Sequence, residues 1–261
     1  MTARGIVSLA VSDPKLDPYR SLRQPRDSTQ FVVEGKLLVE RLAASPLTIS
    51  SVVIDRDRRQ LLPPLPETVP IWGLDVDAMR SLVGFDFHRG ILALAERPAS
   101  PPPLEPFTGN AVVVAIDRVD DPENLGVILR TCGAFGVSEV VTTPGTVDPW
   151  SRRVVRVSMG AVFRLRLRVA DLVGEFERWR AAGVESLATC LAPDSAPIAE
   201  WSPNGPHAWI FGREDHGIDP RWIASADRRI TIPIDSGVDS LNVAQSAAIC
   251  LHLSSTWRRR T

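Results

Sequence analysis

Short apolar runs alternate with segments of helical pattern between residues 111 and 257, and this alternation constrains the fold more than any other feature. The apolar runs predict strands at 111–116, 138–142, 164–169, 185–189, 207–211 and 229–234. The segments between and after them predict helices at 122–135, 151–159, 171–182 and 241–257. Strands that alternate with helices favour a mostly parallel sheet covered by helices. We therefore predict an α/β fold for this part of the chain.

A proline-rich segment at 97–106 divides the chain, with five prolines in ten residues. Because proline cannot donate a hydrogen bond to a sheet and interrupts a helix, the segment predicts a stiff, extended linker. We predict one domain at 1–96 and a second at 107–261. Within the first, a strand at 31–35 followed by a helix at 36–44 begins a strand–helix alternation that predicts a small α/β domain.

Composition excludes several classes of protein. The net charge of -1 argues against a histone-like coating of nucleic acid but leaves room for a local basic surface. Cys132, Cys190 and Cys250 are far apart and form no C-x-x-C pair, which argues against a disulfide framework and against a structural metal site. The longest uninterrupted apolar run, 111–116, is too short to span a bilayer. We expect a cytoplasmic protein with no metal and no membrane partner.

Two polar loops in the last third of the chain predict a binding cleft. Phe211–Ile218 and Ile232–Val243 each join a short apolar run to a loop rich in Gly, Asp, Ser or Asn. Loops at the carboxyl ends of neighbouring strands line a cleft with backbone N–H and C=O groups. Ala188–Leu191 ends a third predicted strand in the same way. Such a cleft suits a small polar cofactor.

The helix that opens after Asp121 carries an arginine between two glycines. At 100° per residue, Gly126, Arg130 and Gly133 fall on one narrow stripe. A guanidinium with no side chain one turn above or below it leaves room for a phosphate or a ribose. Alternatively, the glycines permit close helix packing and Arg130 makes an ordinary ion pair. The residues alone leave both interpretations open.

Residues 151–170 form a basic stretch with six arginines and no acidic residue. If 164–169 is a strand, Arg164, Arg166 and Arg168 lie on one of its faces. A local concentration of positive charge in a neutral protein is typical of a phosphate-binding surface. The alternative is a solvated strand face with no partner.

Taken together, these segments resemble the SpoU/TrmH-type RNA 2′-O-ribose methyltransferases of the SPOUT superfamily, over roughly residues 110–257. Asn124, Gly126 and Arg130 match the family's N-x-G-x-x-x-R pattern, Arg156-Val-Ser-Met-Gly resembles R-x-S-x-G, and Ser240-Leu-Asn matches S-L-N. The resemblance implies a C-terminal SPOUT domain with a mostly parallel sheet and a C-terminal trefoil knot. Residues 31–36 and 87–93 more weakly resemble the small α/β RNA-recognition domain that often precedes it, although His88 could equally be a structural residue.

The resemblance also implies roles for individual residues. The implied catalytic residues are Arg130, Asn124, Glu214, Ser240 and Asn242. The implied S-adenosyl-L-methionine-binding residues are Thr189, Leu191, Gly212, Gly217, Ile232, Ile234 and Leu241. The implied RNA-binding residues are Arg152, Arg153 and Arg156. Ser240 could also serve as the N-cap of the last helix, and Arg213, Asp215 and His216 are interpreted as tolerated variation of the family's loop.

The sequence thus predicts an S-adenosylmethionine-dependent enzyme that methylates a ribose 2′-hydroxyl in ribosomal or transfer RNA. A catalytically silent RNA-binding protein on the same fold is the alternative, and methylation of a base is a second one. The last helix, apolar nearly all round, predicts a homodimer because a symmetric partner would cover the side that a single chain leaves open.

Overall fold

The computed structural model describes residues 5–20, 22, 29–107, 109–213 and 215–258, with side chains up to Thr256. These residues form two compact units. The first takes in the chain up to Ala99 together with Trp150–Arg164, and the second takes in Ser100–Pro149 and the chain from Leu165 onward. The division near residue 99 falls inside the predicted linker. Trp150–Arg164 differs from the predicted organisation, because it lies within the predicted second domain, 107–261, but belongs to the first unit.

Twelve strands and seven α-helices are numbered here in chain order. The strands are β1 Val7–Ser8, β2 Gln30–Glu34, β3 Ile49–Asp55, β4 Ile71–Leu74, β5 Ile91–Glu96, β6 Val112–Ile116, β7 Glu139–Thr142, β8 Leu167–Val169, β9 Glu185–Thr189, β10 Ala196–Pro197, β11 His207–Phe211 and β12 Arg228–Thr231. The helices are α1 Lys36–Ala43, α2 Val76–Val83, α3 Pro122–Ala134, α4 Arg152–Val157, α5 Leu172–Ala181, α6 Pro220–Ser225 and α7 Val243–Arg258. These counts cover the described residues only.

The first unit is built on a five-stranded mixed sheet in the order β1-β4-β3-β5-β2. β5 pairs antiparallel with both β2 and β3, whereas β4 pairs parallel with β1 and β3. The segment around α4 joins this unit through aromatic contacts, because the ring of Phe31 in β2 lies 4.9 Å from that of Trp150 and 6.0 Å from that of Phe163. Periodicity alone could not show this, since it carries no information on which sheet a helix covers.

The second unit contains a seven-stranded sheet in the order β10-β12-β9-β11-β6-β7-β8. Every pairing in it is parallel, which confirms the predicted α/β fold with a mostly parallel sheet. Its central strands are apolar and buried, as a sheet covered on both faces requires. Each strand and helix predicted between 111 and 257 is present; β10 and α6 were not predicted.

The predicted basic strand face is wrong. β8 is only three residues long, and Arg164 ends a short 3₁₀ turn in the first unit instead of belonging to the strand. Arg168 is buried between two carboxylates, 3.5 Å from Glu139 and 2.8 Å from Glu175. Arg166 lies 3.7 Å from Glu139 and donates to the carbonyl of Pro102. Arg166 and Arg168 therefore neutralise buried acids and do not form a phosphate-binding face.

Those two acids and their arginines tie the segment after residue 100 to the second sheet. Glu139, fully buried in β7, accepts from the backbone N–H of Leu104 at 2.9 Å and from Arg178 at 2.7 Å. Arg178 also donates to the carbonyl of Leu104 at 2.8 Å. Burial alone would raise the pKa of Glu175, but hydrogen bonds from Arg168 and Arg178 outweigh burial and hold that pKa below its ordinary value.

In the described part of the chain, no helix is both long and apolar enough to cross a membrane.

We predict that Glu139→Gln destabilises the second unit by about 3 kcal/mol, because it leaves the buried guanidinium groups of Arg168 and Arg178 to share a single carboxylate, that of Glu175. Asp194→Asn is the control in the same unit, since Asp194 forms an exposed ion pair with Arg229. Its cost should not exceed about 1 kcal/mol. Urea unfolding of both variants measures the difference, and equal effects would show that the buried network contributes no more than a surface pair.

Candidate functional site

A cavity of about 400 Å³ lies at the carboxyl ends of β9, β11 and β12 in the second unit. These three strands are adjacent and parallel, so the loops that follow them leave the sheet at the same edge. The residues that line the cavity are Thr189, Cys190, Leu191, Ala192, Phe211, Gly212, Arg213, His216, Gly217, Ile218, Ile223, Ile230, Thr231, Ile232, Ile234, Ser240, Leu241, Val243 and Ser246. The structure thus brings together all the residues predicted to bind the cofactor, and Ser240 with them.

The loop after β11 folds back on itself within a very small space. Arg213 and Gly217 exchange two backbone hydrogen bonds, of 3.2 and 2.9 Å. A Cβ atom at Gly212 would lie only 2.1 Å from the carbonyl carbon of Gly217, which no side chain can accept. Gly217 itself has φ +66°, in the left-handed region that favours glycine. This loop shape therefore requires glycine at both positions.

The walls of the cavity are apolar and its rim is polar. Ile218 and Ile230 are buried beneath it, while Ile232, Ile234 and Leu241 are partly exposed along it. On the far side, Thr189 uses its hydroxyl to donate to the carbonyl of Ile210 at 2.8 Å, which fixes the end of β9 against β11. Apolar walls with backbone groups at the edge suit a flat heterocycle such as adenine.

Asn242 connects this cavity to α3. Its Nδ2 donates to Oδ1 of Asn124 at 2.9 Å, and its Oδ1 accepts from the backbone N–H of Ala244 at 2.8 Å. The second bond makes Asn242 the N-cap of α7, so the suggestion that Ser240 caps this helix is wrong. Ser240 is exposed at the cavity instead. One amide side chain thus both starts the last helix and holds the beginning of α3.

Arg130 lies on the exposed side of α3. Gly126 is buried and Gly133 is exposed, so the stripe of the three residues passes from the protein interior to the surface. No carboxylate among the described residues pairs with Arg130, in contrast to the ordinary ion pair considered above. The guanidinium is therefore available to an external anion. Glu214, another predicted catalytic residue, lies outside the described residues.

Asp117 is a functional candidate that the sequence interpretation missed. Its carboxylate is buried at the end of β6, where it accepts from the Thr143 hydroxyl at 3.0 Å and from the Asp219 backbone N–H at 2.9 Å. Its own N–H donates to the carbonyl of Phe211 at 2.8 Å. Asp117 therefore holds the loops after β6, β7 and β11 in one arrangement. An acid directly after a five-residue apolar strand was the signal available.

Arg213, interpreted above as tolerated variation together with Asp215 and His216, makes specific ion pairs in the structure. Arg213 donates to Asp215 at 2.6 Å and to Asp120, just before α3, at 3.0 Å. Arg213 consequently links the loop after β11 to the beginning of α3.

Asp219 is the N-cap of α6. Side-chain and backbone hydrogen bonds from Arg221 lower the pKa of Asp219 to about 2, so this carboxylate stays ionised at neutral pH.

The predicted RNA-binding arginines belong to the first unit. Arg152 donates to Glu34 at 2.8 Å and Arg156 lies 3.5 Å from the same carboxylate, while Arg153 is exposed on α4.

Within the described residues, no group of three or more His, Cys, Asp or Glu side chains could hold a metal ion.

Comparison with known proteins agrees with this geometry. The model of the SpoU rRNA Methylase family matches residues 111–252. A relative from Mycobacterium bovis, named an uncharacterized tRNA/rRNA methyltransferase, is 32% identical over 92% of this chain and 88% of its own length. The 23S rRNA (guanosine(2553)-2'-O)-methyltransferase of Bacillus subtilis is 27% identical over 93% of this chain and 96% of its own.

A crystal structure of an AdoMet-bound rRNA methyltransferase from Sinorhizobium meliloti superimposes with a TM-score of 0.83 at 27% identity, covering 98% of both chains. A parallel α/β unit with a cavity beyond its strand ends, in a chain with these relatives, defines an RNA methyltransferase. The chain belongs to the SpoU rRNA methylase family, as the sequence motifs predicted.

We predict that Gly212→Ala lowers the affinity for S-adenosylhomocysteine at least about tenfold, because the added methyl group forces the loop after β11 open. Gly174→Ala is the matched control, since a Cβ at this position in α5 meets nothing within 4 Å. That variant should bind like the wild type and be slightly more stable. Calorimetry measures both affinities; equal binding by the two variants would contradict the assignment of this loop.

Proposed function

We propose that this chain transfers a methyl group from S-adenosylmethionine to the 2′-hydroxyl of a ribose in ribosomal or transfer RNA. One observation carries the proposal: the cavity at the ends of β9, β11 and β12 is joined by the Asn242–Asn124 hydrogen bond to α3, the helix that presents Arg130. A cofactor site and an exposed cationic side chain are thereby held in one rigid unit. The Bacillus subtilis relative, named a 23S rRNA (guanosine(2553)-2'-O)-methyltransferase, supports ribose as the target.

The residues at the cavity fit the cofactor. Ile232, Ile234 and Leu241 offer apolar walls to an adenine ring, and the backbone of the loop Gly212–Gly217 can approach a ligand closely because it carries no Cβ at either end. When bound, S-adenosylmethionine supplies a methyl group on a sulfonium, which is transferred directly to a nucleophile. Ser240 lies at the same rim and is available to hydrogen-bond a ribose or the cofactor's polar tail.

Arg130 acts in this mechanism as a cation and not as a base. A guanidinium stays protonated in proteins, so it cannot take the proton of a ribose hydroxyl. It can hold the phosphate next to the target ribose and stabilise negative charge that develops on the 2′-oxygen. Asn124, fixed by Asn242, anchors the first turn of the helix that carries Arg130. Glu214 and solvent water are the candidates for accepting the proton.

RNA recognition is proposed for the first unit and for the arginines of α4. Arg152, Arg153 and Arg156 supply the positive charge there, in a chain whose overall charge is close to zero. A phosphate-binding surface of this kind positions the RNA without reading its sequence. Specificity for one nucleotide then depends on the fold of the RNA and on the position of the target ribose.

Two alternatives make different demands on the same residues. A catalytically silent RNA-binding protein needs the arginines but neither a cofactor cavity nor the Asn242–Asn124 bond, and both are intact here. Methylation of a base would leave the ribose hydroxyl unused.

The deciding experiment incubates the protein with labelled S-adenosylmethionine and with ribosomal or transfer RNA in separate reactions. Mass spectrometry of the digested RNA should show a 2′-O-methylated nucleoside; label on a base, or none, would contradict the proposal.

The trefoil knot and the homodimer of the family are also proposed for this chain. In support of the knot, the loop after β11 doubles back tightly and α7 packs against α3.

In support of the dimer, Ile249 of α7 and Val127 of α3 remain about two-fifths exposed. The exposed side of α7 also carries Gln245 and His252, so the helix is less uniformly apolar than the sequence suggested.

We predict that Arg130→Ala abolishes methyl transfer while S-adenosylhomocysteine binds with unchanged affinity, because Arg130 does not line the cofactor cavity. Arg180→Ala, which removes an exposed arginine from α5, should leave both properties as in the wild type. Single-turnover methylation and calorimetry separate the two effects. Loss of cofactor affinity in the Arg130 variant would mean that its role has been misassigned.

We predict that light scattering at micromolar concentration gives about twice the chain mass of 28.6 kDa. Ile249→Glu should shift the protein to a monomer, because a charge at an exposed apolar position would be buried in a helix-to-helix interface. A wild-type monomer that methylates RNA would contradict the proposed dimer.

A further inference from the structure

A second cavity, of about 520 Å³, lies within the first unit and plays no part in the cofactor site. Three segments supply its lining: the end of β2, the loop between α2 and β5, and α4. We call it the Glu34 pocket, and its lining residues are Glu34, Phe85, Asp86, Phe87, His88, Arg89, Arg152 and Arg156. The sequence motifs pointed to Arg152 and Arg156 on α4, but did not assign Arg89 to RNA or join it to them.

One buried carboxylate organises three arginines in this pocket. Glu34 is 3% exposed, and its oxygens lie 2.8 Å from Arg152, 3.5 Å from Arg156 and 3.7 Å from Arg89. Arg152 and Arg156 are four residues apart on α4 and therefore project from the same face of the helix. Arg89 lies in the loop between α2 and β5, so the three arginines come together only in the folded chain and do not form one basic run in the sequence.

The pocket has more cationic donors than its acids can use. Each guanidinium carries five N–H donors, whereas Glu34 offers two oxygens to three such groups. The other acid, Asp86, is already engaged by Arg80 at 3.1 Å and by His88 at 2.8 Å. The three arginine side chains keep between about a quarter and a half of their surface exposed. Surplus positive charge thus faces an open cavity.

The arginines are also held in place before any ligand arrives. The guanidinium carbon of Arg152 lies 4.7 Å from the centre of the Phe85 ring, a cation–π contact that fixes its plane. Gly35 has φ +91°, and a Cβ at that position would approach Cδ of Arg89 to 3.1 Å. Glycine therefore gives Arg89 the room to lie beside the backbone next to Glu34. Side chains fixed in this way lose little entropy on binding an anion.

We propose that the Glu34 pocket binds a phosphate of the RNA backbone, with Arg89, Arg152 and Arg156 as its ligands and Glu34 as the residue that positions them. Several guanidinium forks around one cavity match the geometry of a phosphate group. The inference rests on the proposed function, because an RNA substrate supplies such phosphates. It goes further by adding Arg89 and by assigning the contact to the backbone and not to a base.

The test measures binding of a fluorescein-labelled, 20-nucleotide single-stranded RNA of mixed sequence to the full chain by anisotropy, at several salt concentrations. Arg89→Gln should bind roughly tenfold more weakly at low salt, and the slope of log affinity against log salt should fall by about one. Arg59→Gln is the matched control, since Arg59 is an exposed arginine of the same unit that does not line the pocket. It should retain the wild-type affinity and slope.

Arg89→Lys keeps the charge but loses the fork, so it should recover the salt slope and only part of the affinity. Inorganic phosphate at constant ionic strength serves as a competitor: we expect it to weaken RNA binding by the wild type more than by Arg89→Gln, and an equal effect on both would overturn the assignment of a phosphate to this pocket. Wild-type affinity and slope in Arg89→Gln would overturn the inference.

Cofactor binding and methyl transfer by the wild type are measured in parallel. If the wild type methylates RNA and Arg89→Gln binds it normally, only the pocket assignment fails. If the wild type neither binds nor methylates RNA, the proposed function fails together with the inference.

Discussion

The parallel pairing of β11 with β6 on one side and with β9 on the other is the constraint on which the rest of the second unit depends. Because these strands run in the same direction, all of their loops emerge at one edge. The loop after β6 leads to α3 with Asn124 and Arg130. The loops after β9, β11 and β12 line the cavity that we propose for the cofactor. The central strand β11 thus places α3 and the cavity at the same edge of the sheet, as the proposed methyl transfer requires.

Two hydrogen-bonded side chains, Asp117 and Asn242, fix the positions of the loops at this edge of the sheet. The buried carboxylate of Asp117 satisfies donors from the loops after β7 and β11, so these loops cannot move independently. Asn242 then joins the last helix to the first turn of α3. Neither contact touches the cavity's apolar walls. They act by limiting the arrangements of the backbone, and a buried carboxylate with hydrogen bonds to both of its oxygens is suited to this role.

Much of this architecture could be predicted from the sequence, for identifiable reasons. Central strands such as β6 and β11 are continuous apolar runs, which periodicity detects well, and the glycines of the loop after β11 mark a close backbone approach. The partners of charged residues could not be predicted in this way. Arg168 looked like a phosphate ligand because its partners, Glu139 and Glu175, are brought to it only by the fold.

The sequence also gives no information on the contacts that determine the place of Trp150–Arg164 and the N-cap of α7. Trp150–Arg164 reads as part of the second domain because it lies there in the chain, yet its aromatic partner Phe31 is in the first unit. Ser240 and Asn242 are equally good N-caps by residue type, and only the observed bond to Ala244 distinguishes them. Roles that depend on contacts between distant residues thus required the structure, whereas the glycines at 212 and 217 could be recognised from the sequence as positions of close backbone approach.

A crystal structure of the protein with S-adenosylhomocysteine tests the central claim most directly. We expect the ligand in the cavity beyond β9, β11 and β12, with its adenine between Ile232, Ile234 and Leu241 and with the Asn242–Asn124 bond intact. A ligand bound at any other place on the chain, or a complex in which α3 separates from Asn242, would contradict it.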